Sequence, residues 1–328
     1  MREAIYPHAN TIICIEESKL LKRFQYEILY NAKDLKATLD ELSDINFFRT
    51  YESVTPENYA ERLDGLMKRT FDFIKEISPD KLVWRIFALY YDIHNMKLVA
   101  KEKLLSTRFD NLALNYGSYS MRTIRSAAVN EDDDILENET LTKGFFEALH
   151  STDIYDVDFI LDKTFFKTLK ALVMEFDIPE FVDFVTAKVD LFNVSAYFQS
   201  LSAGSPEGYF EKAFSHCGSY PLDEWKKYID SGSPDKLKSF PLWQTYKSVW
   251  SGLSDFSDIS SELDVLVDNY LIEKTKVCKI MAFGIEPICA YFFNKFIEIK
   301  NIRILLKGKE SGYDVSEIKK RMRIPYEL

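Results

Sequence analysis

A six-residue pattern occurs three times in this 328-residue chain, at domain-sized intervals. It reads Asp92-Ile-His-Asn95-Met-Lys97, then Asp190-Leu-Phe-Asn193-Val-Ser195, then Glu298-Ile-Lys-Asn301-Ile-Arg303. The leading acids at 92, 190 and 298 are 98 and 108 residues apart. A recurrence on this scale predicts three copies of one structural unit, which bounds the fold before any single residue is weighed. Each copy lies in a long apolar-periodic segment that opens with a proline: Pro79, Pro179 and Pro287.

The likeness extends beyond the signature. Leu66–Ile77 aligns without a gap on Leu161–Leu172, and Val267–Cys278 is a looser third version that keeps Asp268 and Lys276 in register with Asp162 and Lys170. Downstream, Gly117-Ser118-Tyr119 recurs as Gly218-Ser219-Tyr220, and Ser311-Gly312-Tyr313 reads as a degenerate third copy. The unit is therefore a helix, a variable connection, a long helix carrying the signature, and a Gly-containing turn. Boundaries fall near 116 and 217, giving units 1–116, 117–217 and 218–328.

With only 11 Gly and 10 Pro, and apolar residues recurring at spacings of three and four, the chain predicts an all-α fold. In the third long segment Pro287 suits a first helical turn, where its missing N–H costs nothing. Ile288, Tyr291, Phe292, Phe296, Ile299, Ile302, Leu305 and Leu306 form the stripe, and Gly308 is the expected stop. In the first, Ser78 is the expected cap ahead of Pro79. Shorter helices are expected at 140–150 and 235–250, with a helix pair over 16–42. Asn130-Glu-Asp-Asp-Asp134 and Ser231-Gly-Ser-Pro234 read as connections, the latter with a helix start at Ser233-Pro234.

Composition removes several function classes. Apolar residues are 46% of the chain, so burial can offset chain entropy and disorder is not expected. The formal charge is −10, from 42 basic and 52 acidic residues, which opposes binding to nucleic acid or to anionic lipid. The four cysteines, Cys14, Cys217, Cys278 and Cys289, form no C-x-x-C pair and read as buried free thiols in a reducing compartment. The N-terminus has no apolar leader core, and no segment offers 18–20 uninterrupted apolar residues, so neither export nor membrane spanning is expected.

On a helix, residues three apart share a face, so Asp92 with Asn95, Asp190 with Asn193 and Glu298 with Asn301 are neighbours. Asn inside a helix costs about 0.5–0.7 kcal/mol relative to Ala, so its threefold retention implies a compensating tertiary hydrogen bond. Two readings stay open. The pairs pin helix register within each unit, or they form equivalent contacts around a pseudo-symmetric surface. Catalytic and cofactor signals are absent. His8, His94, His150 and His216 fall in no metal-ligand spacing, no phosphate-binding glycine loop or nucleophile elbow occurs, and His216-Cys217 is no more than sequence adjacency.

The segment from Glu286-Pro287 through Glu298-Ile-Lys-Asn301-Ile-Arg303 to Lys307-Gly308-Lys309 carries a family likeness. It is supported by Tyr91-Asp92-Ile-His-Asn95-Met-Lys97 and by the start around Asn10–Leu42. Together these resemble the C subunit of V/A-type ATPases (V-type ATP synthases), the family that includes the d subunit of the eukaryotic vacuolar ATPase. The resemblance covers essentially the whole chain; Ser195, where the other copies carry Lys97 and Arg303, departs from the pattern. It implies three similar helical domains arranged as a funnel with pseudo-threefold symmetry. It further implies a non-catalytic rotor subunit on the cytoplasmic side, attached to the membrane through the rotor ring. Its partners would be the central-stalk subunits and the membrane rotor-ring subunits, with no cofactor, and torque would pass between stalk and ring. The alternative is a helical-repeat adaptor in another assembly. Neither reading identifies the transported ion as H⁺ or Na⁺.

Overall fold

The computed structural model describes residues 5–49, 51, 53–130, 136–175, 179–202, 206–229, 234–251, 259–281 and 284–326. Among these every regular element is an α-helix or a short 3-10 segment. In chain order the helices are α1 (Pro7–Glu17), α2 (Arg23–Asn31), α3 (Leu35–Asp44), α4 (Tyr59–Ile77) and α5 (Lys81–Leu105). There follow α6 (Met121–Asn130), α7 (Glu139–Leu149), α8 (Ile154–Met174), α9 (Pro179–Ser202), α10 (Pro206–Ala213) and α11 (Leu222–Ile229). The last are α12 (Pro241–Thr245), α13 (Lys247–Trp250), α14 (Ile259–Thr275), α15 (Glu286–Glu310) and α16 (Val315–Arg321).

Contacts gather the chain into two compact units. One joins Met1–Val83 to Ser261–Leu328; the other is Trp84–Ser260. The first therefore unites both ends of the sequence. Its central element is α15, which packs against α1, α3, α4 and α16. Being covered by several neighbours, α15 buries residues on nearly every face, from Pro287 to Leu306, as a helix apolar all round must. The helix α4 is instead amphipathic, burying Leu63, Leu66, Met67, Phe71 and Ile74 on one stripe, with Phe71 edge-on to Phe292 of α15 at 6.4 Å.

In the second unit α8 packs against α7, α9 and α10. Its N-terminus is set by Asp153, whose Oδ1 accepts Tyr155 N–H at 2.8 Å; α7 starts likewise at Asn138, whose Oδ1 accepts Leu141 N–H at 2.9 Å. An aromatic core of Tyr197, Phe210, Phe214, Trp225 and Phe240 joins α9, α10 and α11, with successive ring centroids 5.0–6.1 Å apart.

Local expectations fail where a neighbour overrides them. Ser78 closes α4, donating its N–H to Ile74 O, and α5 begins only at Lys81. Gly308 does not stop α15: it is buried where α16 crosses, and a Cβ there would lie 2.6 Å from Ile318 Cγ1. The helix ends instead at Gly312, whose φ of +70° is the left-handed conformation that glycine adopts without strain. The stretch 235–250 is three pieces, a 3-10 segment Pro234–Ser239 and then α12 and α13. Phe240 is extended because the following Pro241 disfavours a helical residue before it. Residues 131–134 and 231–233 of the expected connections lie outside the described residues, while Pro234 does open the 3-10 segment. All four cysteines are free, but only Cys289 is buried, and burial raises its thiol pKa well above the ordinary value; Cys14 is exposed because it faces out from α1.

Gly144 sets the closest approach of α7 to α8. A Cβ there would lie 2.0 Å from Thr164 Oγ1 and 2.8 Å from its Cβ. Gly144→Ala is therefore expected to destabilise the protein by ~1–3 kcal/mol through overpacking. A urea midpoint equal to wild type would show that the two helices can separate without loss.

Candidate functional site

Each recurring Asn grips a backbone segment that follows its own helix. Asn95 Nδ2 donates to Leu114 O (2.7 Å) while Leu114 N–H donates to Asn95 Oδ1 (3.0 Å). Asn193 makes the same pair with Ser215 (3.0 and 2.9 Å), and Asn301 with Arg323 (3.0 and 2.9 Å). The gripped residue lies 19, 22 and 22 positions downstream. All three amides are buried. One side chain thereby satisfies a buried donor and acceptor of a chain segment that has no helix or sheet partner of its own.

The acid one turn earlier holds the next stretch. Asp92 Oδ1 accepts Tyr119 N–H (3.1 Å) and Asp190 Oδ1 accepts Ser219 N–H (2.7 Å). Asp190 also accepts Ser219 Oγ–H (2.6 Å) and Tyr246 O–H (2.7 Å). Those turns lead directly into α6 and α11, so the carboxylates also sit near helix N-termini, where negative charge is favoured. The recurring glycines now have a cause. A Cβ at Gly117 would lie 2.2 Å from Asp92 Oδ1, and one at Gly218 would lie 2.4 Å from Asp190 Oδ1. Only glycine lets the backbone come that close.

In the third copy Glu298 Oε1 accepts Leu21 N–H at 2.6 Å, from the turn that leads into α2, and its other oxygen pairs with Lys295. The turn Ser311-Gly312-Tyr313 thus has a different task from its sequence counterparts: it terminates α15. Sequence comparison missed Leu21 because the partner lies 277 positions away. It also missed Tyr246 and Arg323.

The fifth position after each acid faces outward. Lys97 Nζ bonds Asp162 Oδ1 of α8 at 2.7 Å and lies 3.5 Å from Asp158, which Lys101 also engages. Arg303 Nη2 bonds Asp64 Oδ1 of α4 at 2.6 Å. Ser195 bonds only its own helix, Oγ to Leu191 O at 3.1 Å. The Arg303 pair is half-exposed and contributes at most about 1 kcal/mol. The acid–amide pairs are thus brought together with backbone, and the outer cations with neighbouring helices.

Burial pushes the Asp92 carboxyl from its ordinary 3.8 up to about 6; the N–H groups of Tyr119 and Ser118 oppose the rise without cancelling it. Tyr26, seated over the third pair and bonded to Asn301, is raised well above its ordinary value by burial and by the Glu298 charge. Elsewhere chemistry is sparse. His94 Nε2 bonds Leu112 O (3.0 Å), His150 Nδ1 bonds Phe146 O (2.8 Å), and His216 stands edge-on to Phe214. A hollow of about 370 Å³ between α7 and α8 is lined by Lys143, Lys163 and Lys167 with Glu139 and Glu147, and none of the signature residues lines it. Among the described residues no group of three or more His, Cys, Asp or Glu side chains is placed to hold a metal, and no helix is long and apolar enough to cross a membrane.

The profile of a family described as ATP synthase (C/AC39) subunit matches residues 9–321. The C subunit of the V-type sodium ATPase of Enterococcus hirae is 24% identical over 331 residues, covering 98% of this chain and 99% of that protein. The C subunit of the A-type ATP synthase of Methanocaldococcus jannaschii is 23% identical over 345 residues, covering 96% of this chain and 86% of that protein.

Two measurements test the clamp. Asn193→Ala leaves a buried N–H and C=O of Ser215 without partners and is expected to cost ~2–4 kcal/mol by urea unfolding. Ser195→Ala on the same helix should change stability by less than about 0.5 kcal/mol; equal effects of the two would remove the special role of the amide. For Asp92 the folded pKa exceeds the unfolded one, so the folded state holds the proton longer. Its contribution is complete below about pH 3.8 and is lost as pH rises to about 6, a swing of ~3 kcal/mol. Asp92→Asn should therefore gain stability relative to wild type across that window; a pH-independent difference would contradict the assignment.

Proposed function

The chain belongs to the ATP synthase (C/AC39) subunit family, and we propose that it is the non-catalytic central-rotor subunit of a V/A-type ATPase, the socket through which the central stalk is joined to the membrane rotor ring. In this reading the chain is three helical units, 1–116, 117–217 and 218–328, arranged with pseudo-threefold symmetry as a funnel. The protein is cytoplasmic and held at the membrane through the ring. Its work is to transmit torque.

The observation that carries the reading is the same two-point amide bond at Asn95, Asn193 and Asn301. A torque coupler has to resist shear between its long helices and the segments that connect them. A buried amide bonded to both polar groups of one residue resists sliding in either direction, whereas a purely apolar contact can slip. Three equivalent short helices, set by three carboxylates, offer many dispersed contacts to a partner, as a coupling surface requires. The relatives are named as C subunits of a V-type sodium ATPase and of an A-type ATP synthase; that association is transferred here as part of the proposal.

The test is reconstitution. Purified chain is added to membrane rotor ring and to central-stalk subunits. Stalk retention on ring-containing vesicles is expected only when the chain is present, and the pure chain is expected to show no ATP hydrolysis above background. Retention that is independent of the chain, or turnover by the chain alone, would overturn the reading.

A further inference from the structure

The hollow between α7 and α8 carries a charge opposite to that of the chain around it. Gly144 lets the two helices touch, and helices that touch at one point part on either side of it. Gly144 and Thr164 are buried at the floor, and the Thr164 hydroxyl is spent on Ile160 O at 2.8 Å. The walls are long charged side chains. Positions 139, 143 and 147 form one stripe of α7, and 163 and 167 form the facing stripe of α8. Three ammonium groups, of Lys143, Lys163 and Lys167, therefore line one space against the two carboxylates of Glu139 and Glu147. The first turn of α7 also opens there, and its positive end adds to the same field. This local excess of positive charge stands in a chain whose net charge is −10.

The pairing inside the hollow is open to exchange. Lys143 bonds Glu139, one turn away on its own helix. The Lys143 hydrogen bond, and more weakly the Lys167 charge, hold the Glu139 carboxyl below its ordinary pKa. Both partners of that pair are largely exposed, so a stronger anion can replace the carboxylate at little cost. Lys163 and Lys167 form no ion pair among the described residues.

The volume of about 370 Å³ falls within the roughly 300–1,000 Å³ of small-ligand sites. The lining decides the class of ligand. Ile160 is its one large apolar side chain, so no face is offered to a nucleobase or an apolar peptide. No arginine lines it, which disfavours a planar carboxylate; lysines act as point charges that donate to phosphate oxygens from any direction. The charges extend over a turn of α8 and across to α7, which suits an extended anion better than a single small one.

We propose that the hollow is a binding site for a short chain of phosphate groups, held by Lys163 and Lys167 from α8 and by Lys143 from α7. Glu139 is the built-in competitor: the ligand takes over Lys143, and the carboxylate swings into solvent. The bound chain bridges the two helices beside their closest approach.

The test is calorimetric titration of the full chain with inorganic pyrophosphate at low ionic strength. Saturable binding is expected, weakening as salt is raised. Lys163→Gln and Lys167→Gln should each weaken it about 3- to 5-fold, the effect of losing one partly exposed ion pair. Glu139→Gln should tighten it. Lys307→Gln, at an exposed pair in the other compact unit, should leave it unchanged. Circular dichroism checks that each variant keeps its fold. ATP and sulfate are titrated alongside. Tighter binding of ATP than of pyrophosphate assigns a nucleotide as the source of the phosphates, and equal or weaker binding assigns the bare chain; either upholds the site. No saturable binding at millimolar pyrophosphate, sulfate bound as tightly as pyrophosphate, an equal loss in Lys307→Gln, or weaker binding in Glu139→Gln would each overturn the proposal.

Discussion

The interaction on which the rest depends is a primary amide bonded to both polar groups of a single backbone residue inside a desolvated helical core. A segment that leaves a long helix and turns back along it has no ladder partner, so its N–H and C=O must be satisfied from outside. Asn supplies one donor and one acceptor on a short, stiff stem. The carboxylate three residues earlier lies on the same helical face and can take the N–H of the turn that follows. Together the two side chains convert an irregular return into a fixed one, and a short helix starts from a defined point.

The details follow from that constraint. Glycine occupies positions 117 and 218 because the carboxylate comes within 2.2 and 2.4 Å of where a Cβ would be. Asp190 is surrounded by three donors, from Ser219 N–H, Ser219 O–H and Tyr246 O–H, whereas burial dominates at Asp92. The third copy carries Glu in place of Asp, and its longer side chain reaches a segment that arrives from elsewhere in the sequence. The outer cations Lys97 and Arg303 add surface pairs to α8 and α4, and they are secondary: Ser195 lacks the charge, and its helix is still placed by Asn193.

The direction in which the buried polar groups of the signature point separates them from those of an active site. In an active site such groups converge on a cavity and leave valence for substrate. In this chain the buried amides of the signature are spent on backbone and its carboxylates on backbone N–H groups and neighbouring side chains, and the hollow between α7 and α8 is lined by surface lysines and glutamates.

Helical content, the long helices and the three signature positions were legible in the sequence because they depend on local periodicity and on residues three or four apart. The Gly-Ser-Tyr repeat was visible too, though its cause was not. What only the tertiary structure decided is the identity of every partner: Leu114, Ser215 and Arg323 for the amides, Leu21 for Glu298, Tyr246 for Asp190. It also decided that Gly308 packs against Ile318 instead of ending α15, and that Ser78 closes one helix instead of opening the next. A side chain's own sequence neighbourhood determines which face it occupies. Which backbone group meets that face depends on how distant segments are brought together, and a hydrogen bond spanning 277 positions leaves no trace in local pattern.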